Sequence, residues 1–246
     1  MATVLVTGGA KRLGAAIVRR LAADGHRIVI HYGKSGAEAA ALADEIGAAG
    51  TVGGDLAQLD AIEDLWARAC EVAGGPVDAL VNSASQFAFD RPEAVDIALA
   101  ARLYALNCTA PVLLAGCLAR QGVGGTVVNL LDQKVANPNP DFFSYTLAKL
   151  ALEGATTLMA QAFAPSVRVN AVSPGLTLAS GDQSDAEFAA AGQKNLLARP
   201  VGAEAVADAV AWLLGAASVT GQNLFVDCGQ RFLKRDGDVM FEGREA

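Results

Sequence analysis

The sequence predicts an α/β chain: a doubly wound, mainly parallel sheet of seven strands with helices on both faces. Three observations carry this expectation. Short apolar or β-branched runs alternate with helical patterns and are joined mostly by short turns. Hydrophobic residues make up 52% of the chain, enough to bury a sheet on both sides. The first strand runs straight into a glycine-rich turn and a helix, the opening of a βαβ unit. At 246 residues the chain reads as one domain spanning 1–246, with residues 234–246 as a flexible, charged tail.

Val4-Leu5-Val6 is the first strand, and Thr7-Gly8-Gly9-Ala10-Lys11-Arg12-Leu13-Gly14 follows. Leu13, Ile17, Val18 and Leu21 then recur at helical spacing until Gly25. In this setting a glycine string binds phosphate, because the helix N-terminus offers unpaired N–H groups to an anion. Arg12 takes a position where many such loops have glycine, and its cation can reach a pyrophosphate or a polar substrate edge. Residues 27–30 form the second strand. In NAD-binding folds an acidic residue about 20 positions after the turn holds the ribose 2′-hydroxyl. Here His31-Tyr32-Gly33-Lys34-Ser35 stands instead. No carboxylate repels a phosphate, and Lys34 with Ser35 can bind one, which favours NADP(H) over NAD(H). The other reading of Lys34 is a solvated loop lysine.

Residues 37–48 are helical, 51–56 form a third strand poor in β-formers, and 58–73 are helical through Ile62, Leu65, Trp66 and Ala69. Pro76 breaks that helix before the fourth strand, 77–81. Asn82-Ser83-Ala84-Ser85-Gln86-Phe87 then puts a polar cluster at a strand's C-terminal end, where open parallel sheets bind ligands. Phe87 is either a stacking plate or an ordinary packed ring. Residues 94–120 carry one or two helices, and Asn107 within them marks a bend or a bound water. Residues 125–131 form the fifth strand, with Asp132 at its end. Residues 166–172 form the sixth, and Ser173-Pro174-Gly175 turns the chain. Leu176 to Ser184 is a long polar loop suited to a lid. A helix over 201–214 and a strand over 223–227 complete the pattern.

Between the fifth and sixth strands, Tyr145 and Lys149 lie four residues apart, one turn apart on one helix face. Leu147, Leu150, Ala151, Leu152, Leu158 and Met159 make this helix apolar on nearly every side, which predicts burial all round. A buried phenol and ammonium must be paired, ligated or at work. A free tyrosine titrates near pH 10, and bringing it near 7 takes about 4 kcal/mol. One ammonium about 5 Å away, at an effective dielectric near 20, supplies roughly 3 kcal/mol. The alternative is an ordinary tyrosine beside a lysine that reaches water. Right-handed crossovers put every strand's C-terminal end on one edge. Gly14, Asn82, Asp132, Tyr145 and Pro174 gather there, which favours the working pair.

The net charge of −7 argues against a nucleic-acid partner. Two histidines are too few for a typical histidine-rich metal site, so no metal is expected. Cys70, Cys108, Cys117 and Cys228 show no C-x-x-C spacing and read as free thiols. The N-terminus carries no basic flank or h-region, and no apolar run approaches the ~18 residues needed to span a bilayer. The expectation is a cytosolic protein without a membrane partner.

Over about residues 2–232 the chain resembles the short-chain dehydrogenases/reductases. Thr7-Gly8…Gly14, Asp55-Leu56, Asn82-Ser83-Ala84, Asn107, Tyr145-x-x-x-Lys149 and Pro174-Gly175 carry the likeness. The resemblance implies a Rossmann-type domain, usually dimeric or tetrameric, with the Tyr145 helix in an interface. It implies that Tyr145 exchanges the proton, that Lys149 binds the nicotinamide ribose and lowers the tyrosine's pKa, and that Asn107 anchors a water relay. Asp55 and Leu56 would hold the adenine, and Asn82 and Ala84 would line its ribose. Gly8, Arg12, Leu13, Gly14, His31, Tyr32, Lys34, Ser35, Ser85, Leu130, Pro174, Gly175, Leu176 and Thr177 complete the implied cofactor set.

One departure bears on substrate. The family usually has a serine thirteen residues before the tyrosine, and here Asp132 stands there. In this respect the chain resembles the pteridine reductases and the bacterial dihydromonapterin reductases. Arg12, the 31–35 loop, Ala84-Ser85-Gln86-Phe87 and Pro174-Gly175-Leu176-Thr177 resemble those enzymes too. A pterin presents C=N bonds and N–H donors, for which a carboxyl group suits better than a serine. Its flat ring can stack on Phe87. The implied substrate contacts are Arg12, Ser85, Phe87, Asp132 and Tyr145, and Lys134 is placed to neutralise Asp132. The expectation is an NADPH-dependent pterin reductase, of dihydromonapterin, dihydrobiopterin or dihydrofolate type. The alternatives are a ketone or 3-oxoacyl reductase of the same family and a non-catalytic NADP(H) sensor.

Overall fold

The computed structural model describes residues 1–179 and 183–241. Its centre is a seven-stranded sheet in the order β3-β2-β1-β4-β5-β6-β7, with every neighbouring pair parallel. The strands are β1 Thr3–Thr7, β2 Arg27–Tyr32, β3 Gly50–Gly53, β4 Ala79–Asn82, β5 Gly125–Leu130, β6 Val167–Pro174 and β7 Asn223–Val226. The helices are α1 Arg12–Ala23, α2 Gly36–Ile46, α3 Ile62–Ala73, α4 Ile97–Tyr104, α5 Ala110–Arg120, α6 Phe143–Phe163, α7 Asp185–Gly192 and α8 Ala203–Gly215. Strand order reverses beside β1, so the C-terminal ends of β1 and β4 flank the crevice where such sheets bind ligands.

Alternation along β1 divides the core. Val4 and Val6 pack with α1, α2 and α8 on one face, and Leu5 packs with α3 and α5 on the other. The parallel sheet is buried on both faces, as its continuous apolar runs require.

The structure departs from the sequence expectations at several elements. The third strand ends at Gly53, so Asp55 and Leu56 lie in the loop beyond it. The bend expected at Asn107 is a π-helical turn, Ala105–Thr109, linking α4 to α5. The resulting rod Ile97–Arg120 reaches mean hydropathy 1.5, long and apolar enough by composition to cross a bilayer, contrary to the expectation for such runs. Within the fold it packs Leu103, Leu114 and Leu118 into the core. Helix α6 is not buried all round: Leu147 is 46% and Leu158 65% exposed. Helix α7 was not foreseen, and is started by a capping box between Ser184 and Glu187. Part of the expected lid, residues 180–182, lies outside the described residues. Residues 234–241 are not a frayed tail, because Val239 is buried and Phe241 stacks on Phe142. Residues 242–246 also lie outside the described residues.

Candidate active site

Two adjoining cavities open along the C-terminal edge of the sheet and share Arg12, Leu13, Ser83 and Ser85 in their walls. One, about 600 Å³, runs past Gly8, Gly14, His31, Lys34, Asp55, Leu56 and Ala84. The other, about 270 Å³, is lined by Phe87, Leu130, Asp132, Tyr145, Lys149 and Pro174 to Thr177, among others.

The β1–α1 loop forms the floor of the larger cavity. A Cβ on Gly8 would stand 2.7 Å from the Ala84 Cα, and the φ of +61° there is unfavourable for any other residue. A Cβ on Gly14 would meet the Gly8 carbonyl oxygen at 2.1 Å. Both glycines are therefore required, Gly8 for the close approach of this loop to the segment after β4 and Gly14 for that of α1 to the loop. Arg12 adopts φ 52°, in the region where a glycine is usual, and its guanidinium donates to the Ala179 carbonyl at 2.6 Å. His31 braces the turn. Its Nδ1 accepts from the Gly8 N–H at 3.2 Å, and its Nε2 bonds the Gly54 carbonyl at 3.0 Å. Burial lowers its pKa to about 4, so the ring is neutral and adds no charge for a phosphate. Lys34 is exposed on the cavity wall and is the cation of the 31–35 segment.

This cradle fits a dinucleotide: a glycine floor that no Cβ could share, a cavity of about 600 Å³, and a lysine with no carboxylate in the 31–35 loop. Some expected contacts do not line it. The Tyr32 ring packs against Gly36 and Gly53, and Ser35 is the residue at the start of α2. Asn82 turns inward and donates to Asn129 Oδ1 at 2.9 Å and to the Pro111 carbonyl at 3.4 Å. The reason is register: β4 pairs Asn82 with Asn129 of β5, so the Asn82 amide N–H is taken by Asn129, which itself donates to the Thr156 hydroxyl at 2.9 Å, while Asn82 Oδ1 is left buried without a partner among the described residues. Asp55 is engaged by Arg102, which donates to both carboxylate oxygens at 3.0 and 3.2 Å, and by the Ala57 N–H. Arg102 also donates to Gln86 Oε1 at 3.0 Å. Lys11 and Arg102 thus join Gln86 in the cavity wall without having been singled out in the sequence. The i to i+47 separation of Asp55 and Arg102 leaves no local signal for that pair.

In the smaller cavity, Tyr145 donates its hydroxyl to Asp132 Oδ2 at 2.9 Å. The Lys134 N–H donates to Asp132 Oδ1, also at 2.9 Å. Asp132 keeps one side open to the cleft while protein surrounds the rest, and desolvation raises its pKa. Lys134 does not neutralise it by direct contact, since its ammonium is directed at Asp238. Tyr145 is 5% exposed, and burial together with the Asp132 charge raises its pKa well above the ordinary value, with Ser85 pulling the other way. In the unliganded chain the net shift is thus upward, opposite in direction to the lowering expected from Lys149. The Lys149 ammonium donates to the Leu130 carbonyl at 2.7 Å and lies 5.6 Å from the Tyr145 ring centroid. Its own pKa falls to about 8 through desolvation. In this arrangement the tyrosine is a firmly held proton donor to Asp132.

The support of Tyr145 comes from a distance. Helix α6 begins after Phe142, at φ 55°, whose apolar side chain offers no cap. Asp90 caps it instead, accepting from the Ser144 N–H at 3.0 Å and from its hydroxyl at 2.5 Å. The loop bearing Ser85 and Phe87 is thereby tied to the Tyr145 helix. Asn107 fixes the other end of that loop: it accepts from Ser85 Oγ at 2.8 Å and Gln86 N at 3.2 Å, and donates to the Gln86 and Leu103 carbonyls. Its side chain braces the loop. Phe87 is 42% exposed, stacked on Phe142 at 3.8 Å and edge-on to Tyr145 at 4.8 Å. It lines the cleft as expected, but from within an aromatic cluster. Leu176 and Thr177 are placed by bonds of the Leu176 N–H to Gln230 Oε1 and of the Thr177 hydroxyl to the Gly175 carbonyl. Among the described residues no group of three or more His, Cys, Asp or Glu side chains is placed to hold a metal.

Comparison with known proteins places this geometry. A family model described as enoyl-(acyl carrier protein) reductase matches residues 8–231. Pteridine reductase 1 of Leishmania tarentolae is 32% identical over 92% of this chain and 94% of its own. The 3beta-hydroxysteroid dehydrogenase 1 of Eggerthella lenta is 34% identical over 92% of each. The crystal structure of FolM alternative dihydrofolate reductase 1 from Brucella canis, complexed with NADP, is 39% identical, covers 95% of both chains and superposes with a TM-score of 0.90.

Proposed function

The chain belongs to the short-chain dehydrogenase/reductase family, and from that premise we propose that it is an NADPH-dependent reductase of pterins, acting on a C=N bond. The observation that carries this reading is the bond from the Tyr145 hydroxyl to Asp132 at 2.9 Å. A carboxyl group occupies the position from which a serine would orient a ketone. The pteridine reductase and the NADP-bound alternative dihydrofolate reductase among the similar proteins support the substrate class and the cofactor.

The residues that would hold NADP(H) are Gly8, Leu13, Gly14, Lys34, Asp55, Leu56, Ala84 and Lys149. When bound, the cofactor supplies a hydride to the substrate carbon. Lys34 offers a charge-assisted contact to the 2′-phosphate. Phe87 stacks the flat heterocycle, and Arg12 bonds its oxo or ring-nitrogen edge. Asp132 accepts from ring N–H groups. Because desolvation raises its pKa, it can also take up and hand on a proton more readily than an exposed carboxylate would. The Tyr145 hydroxyl, through its bond to Asp132, shares in delivering that proton, which solvent replaces through the open side of the cleft.

The exposed apolar side chains of Tyr104, Leu113, Leu147 and Leu158 lie on the α4–α6 side of the chain, which supports a homo-oligomer joined through these helices. A second reading, reduction of a ketone or 3-oxoacyl group, is favoured by the hydroxysteroid dehydrogenase relative, with protonated Asp132 as the carbonyl's donor. Asp132→Ser separates the two, since it damages a pterin reductase and is tolerated or beneficial in a ketone reductase. The direct test is a thermal-shift screen of pterins, folates and ketones in saturating NADPH, followed by turnover of every stabilising compound. Turnover of ketones with none of any pterin would overturn the pterin reading.

A further inference from the structure

Residues 233–241 run beside the smaller cavity, and Asp238 and Val239 form part of its lining. They are held against the loop after β5, which also carries Asp132. The Lys134 ammonium, at 2% exposure, donates to Asp238 Oδ2 at 3.0 Å, to Asn139 Oδ1 at 2.9 Å and to the Asp141 main-chain carbonyl at 2.9 Å. Asp141 binds the segment in return: its Oδ2 accepts from the Asp238 N–H at 2.8 Å, while its Oδ1 takes the Arg91 guanidinium at 2.6 Å. Asn137 donates to the Leu233 carbonyl at 2.9 Å. Phe241 stacks on Phe142 with centroids 5.8 Å apart, and Phe142 is the ring on which Phe87 lies.

A buried ammonium is tolerated only with charged and polar partners close by. Two of the three acceptors named for Lys134 come from the neighbouring turn and are neutral. The carboxylate comes from 104 residues away. Withdrawal of the segment would leave that cation among neutral acceptors and open one side of the cleft.

We propose that Asp238 and Val239 contact the substrate and help set its specificity, and that Lys134 is a positioning residue that acts by holding Asp238 in place. This rests on reading the smaller cavity as the substrate site. With Asp132, Asp238 puts two carboxyl groups on one cleft, which suits a ligand edge rich in N–H donors, such as an amino-substituted heterocycle, and disfavours an anionic group at that edge.

The test compares the full chain with one ended after Leu233, with Lys134→Met and with Asp238→Asn. KM and kcat are measured for a dihydropterin, and the NADPH Kd serves as the control for folding. The truncated chain and Lys134→Met are expected to raise KM about tenfold or more, with a smaller change in kcat and an NADPH Kd within about twofold of the full chain. Asp238→Asn, which keeps an acceptor for Lys134, is expected to raise KM less than Lys134→Met does. A wild-type KM in the truncated chain, or a fall in kcat at constant KM in all three variants, overturns the proposal. If truncation abolishes NADPH binding, the two point variants decide by the same criterion. If the full chain turns over no pterin, the functional reading fails separately. The wall is then judged on ketones of increasing size: truncation must widen the accepted range, and an unchanged range overturns it.

Discussion

Replacing Asp132 by asparagine tests the link between this carboxyl group and catalysis, because shape is kept while charge and titration are lost. Asp132 accepts at 2.9 Å from both the Tyr145 hydroxyl and the Lys134 N–H. Asparagine can still accept from Lys134 through Oδ1, but its Nδ2 then faces the tyrosine oxygen and reverses that bond. The lost charge-assisted bond is worth about 1.5–3 kcal/mol, and loss of a positioned acid–base group costs about 10²–10⁴ in rate. Pterin turnover by Asp132→Asn is therefore expected to fall about 100-fold or more in kcat, followed as NADPH oxidation. Stability should move the opposite way. The folded-state pKa of Asp132 is raised by desolvation, so its favourable contribution is complete below the unfolded value and is lost as pH rises through the folded value. Above that value the carboxylate burdens the fold, and Asp132→Asn should melt at higher temperature than the wild type, with the difference closing near pH 4. Pterin turnover within about threefold of wild type would refute the assigned role. A variant less stable than wild type at pH 8 would refute the account of its desolvation.

Three further outcomes are expected. NADPH should be preferred over NADH by at least about tenfold, roughly 1.4 kcal/mol, and Lys34→Ala should shrink that ratio; a wild-type ratio near one would dismiss the role given to Lys34. The pKa of His31 is lowered to about 4, so the stability it contributes is present above about 6.5 and lost as pH falls through 4. His31→Gln should accordingly show a shallower loss of melting temperature over that range and weaker NADPH binding, because the brace on Gly8 is altered; equal pH slopes would contradict this. The ammonium of Lys149 titrates near 8 in the unliganded protein, so NADPH affinity should weaken between pH 7 and 9. Lys149→Met should bind more weakly and lose that dependence, and a wild-type affinity flat across the range would count against its contact with the cofactor.

Much of this site was legible because local rules place it. The Tyr145–Lys149 spacing is a property of one helix. The glycine turn is a property of one βα junction. Asp132 stands at the end of a strand whose period and length the sequence shows. What failed depended on contacts between distant segments. The register of β4 on β5 turned Asn82 into the core, where its amide N–H donates to Asn129. β3 ends at Gly53, and Asp55 in the loop beyond it meets Arg102 from α4. Lys134 stood next to the right residue in sequence, yet its charge is directed at a carboxylate 104 positions later. The pKa of Tyr145 is raised because the phenol is buried and a carboxyl group accepts its hydrogen bond, while Lys149 is engaged by the Leu130 carbonyl. Apolarity on every side of α6 marked a surface that a single chain leaves partly uncovered.

The central claim is that Asp132 adapts a ketone-reducing scaffold to pterins. The most direct measurement is kcat/KM with NADPH for a dihydropterin and for a ketone of similar size, in the wild type and in Asp132→Ser. The account expects the wild type to favour the pterin and the serine variant to lose at least about tenfold, roughly 1.4 kcal/mol, of that preference. A wild type that favours the ketone, or a preference unchanged by the substitution, would contradict it.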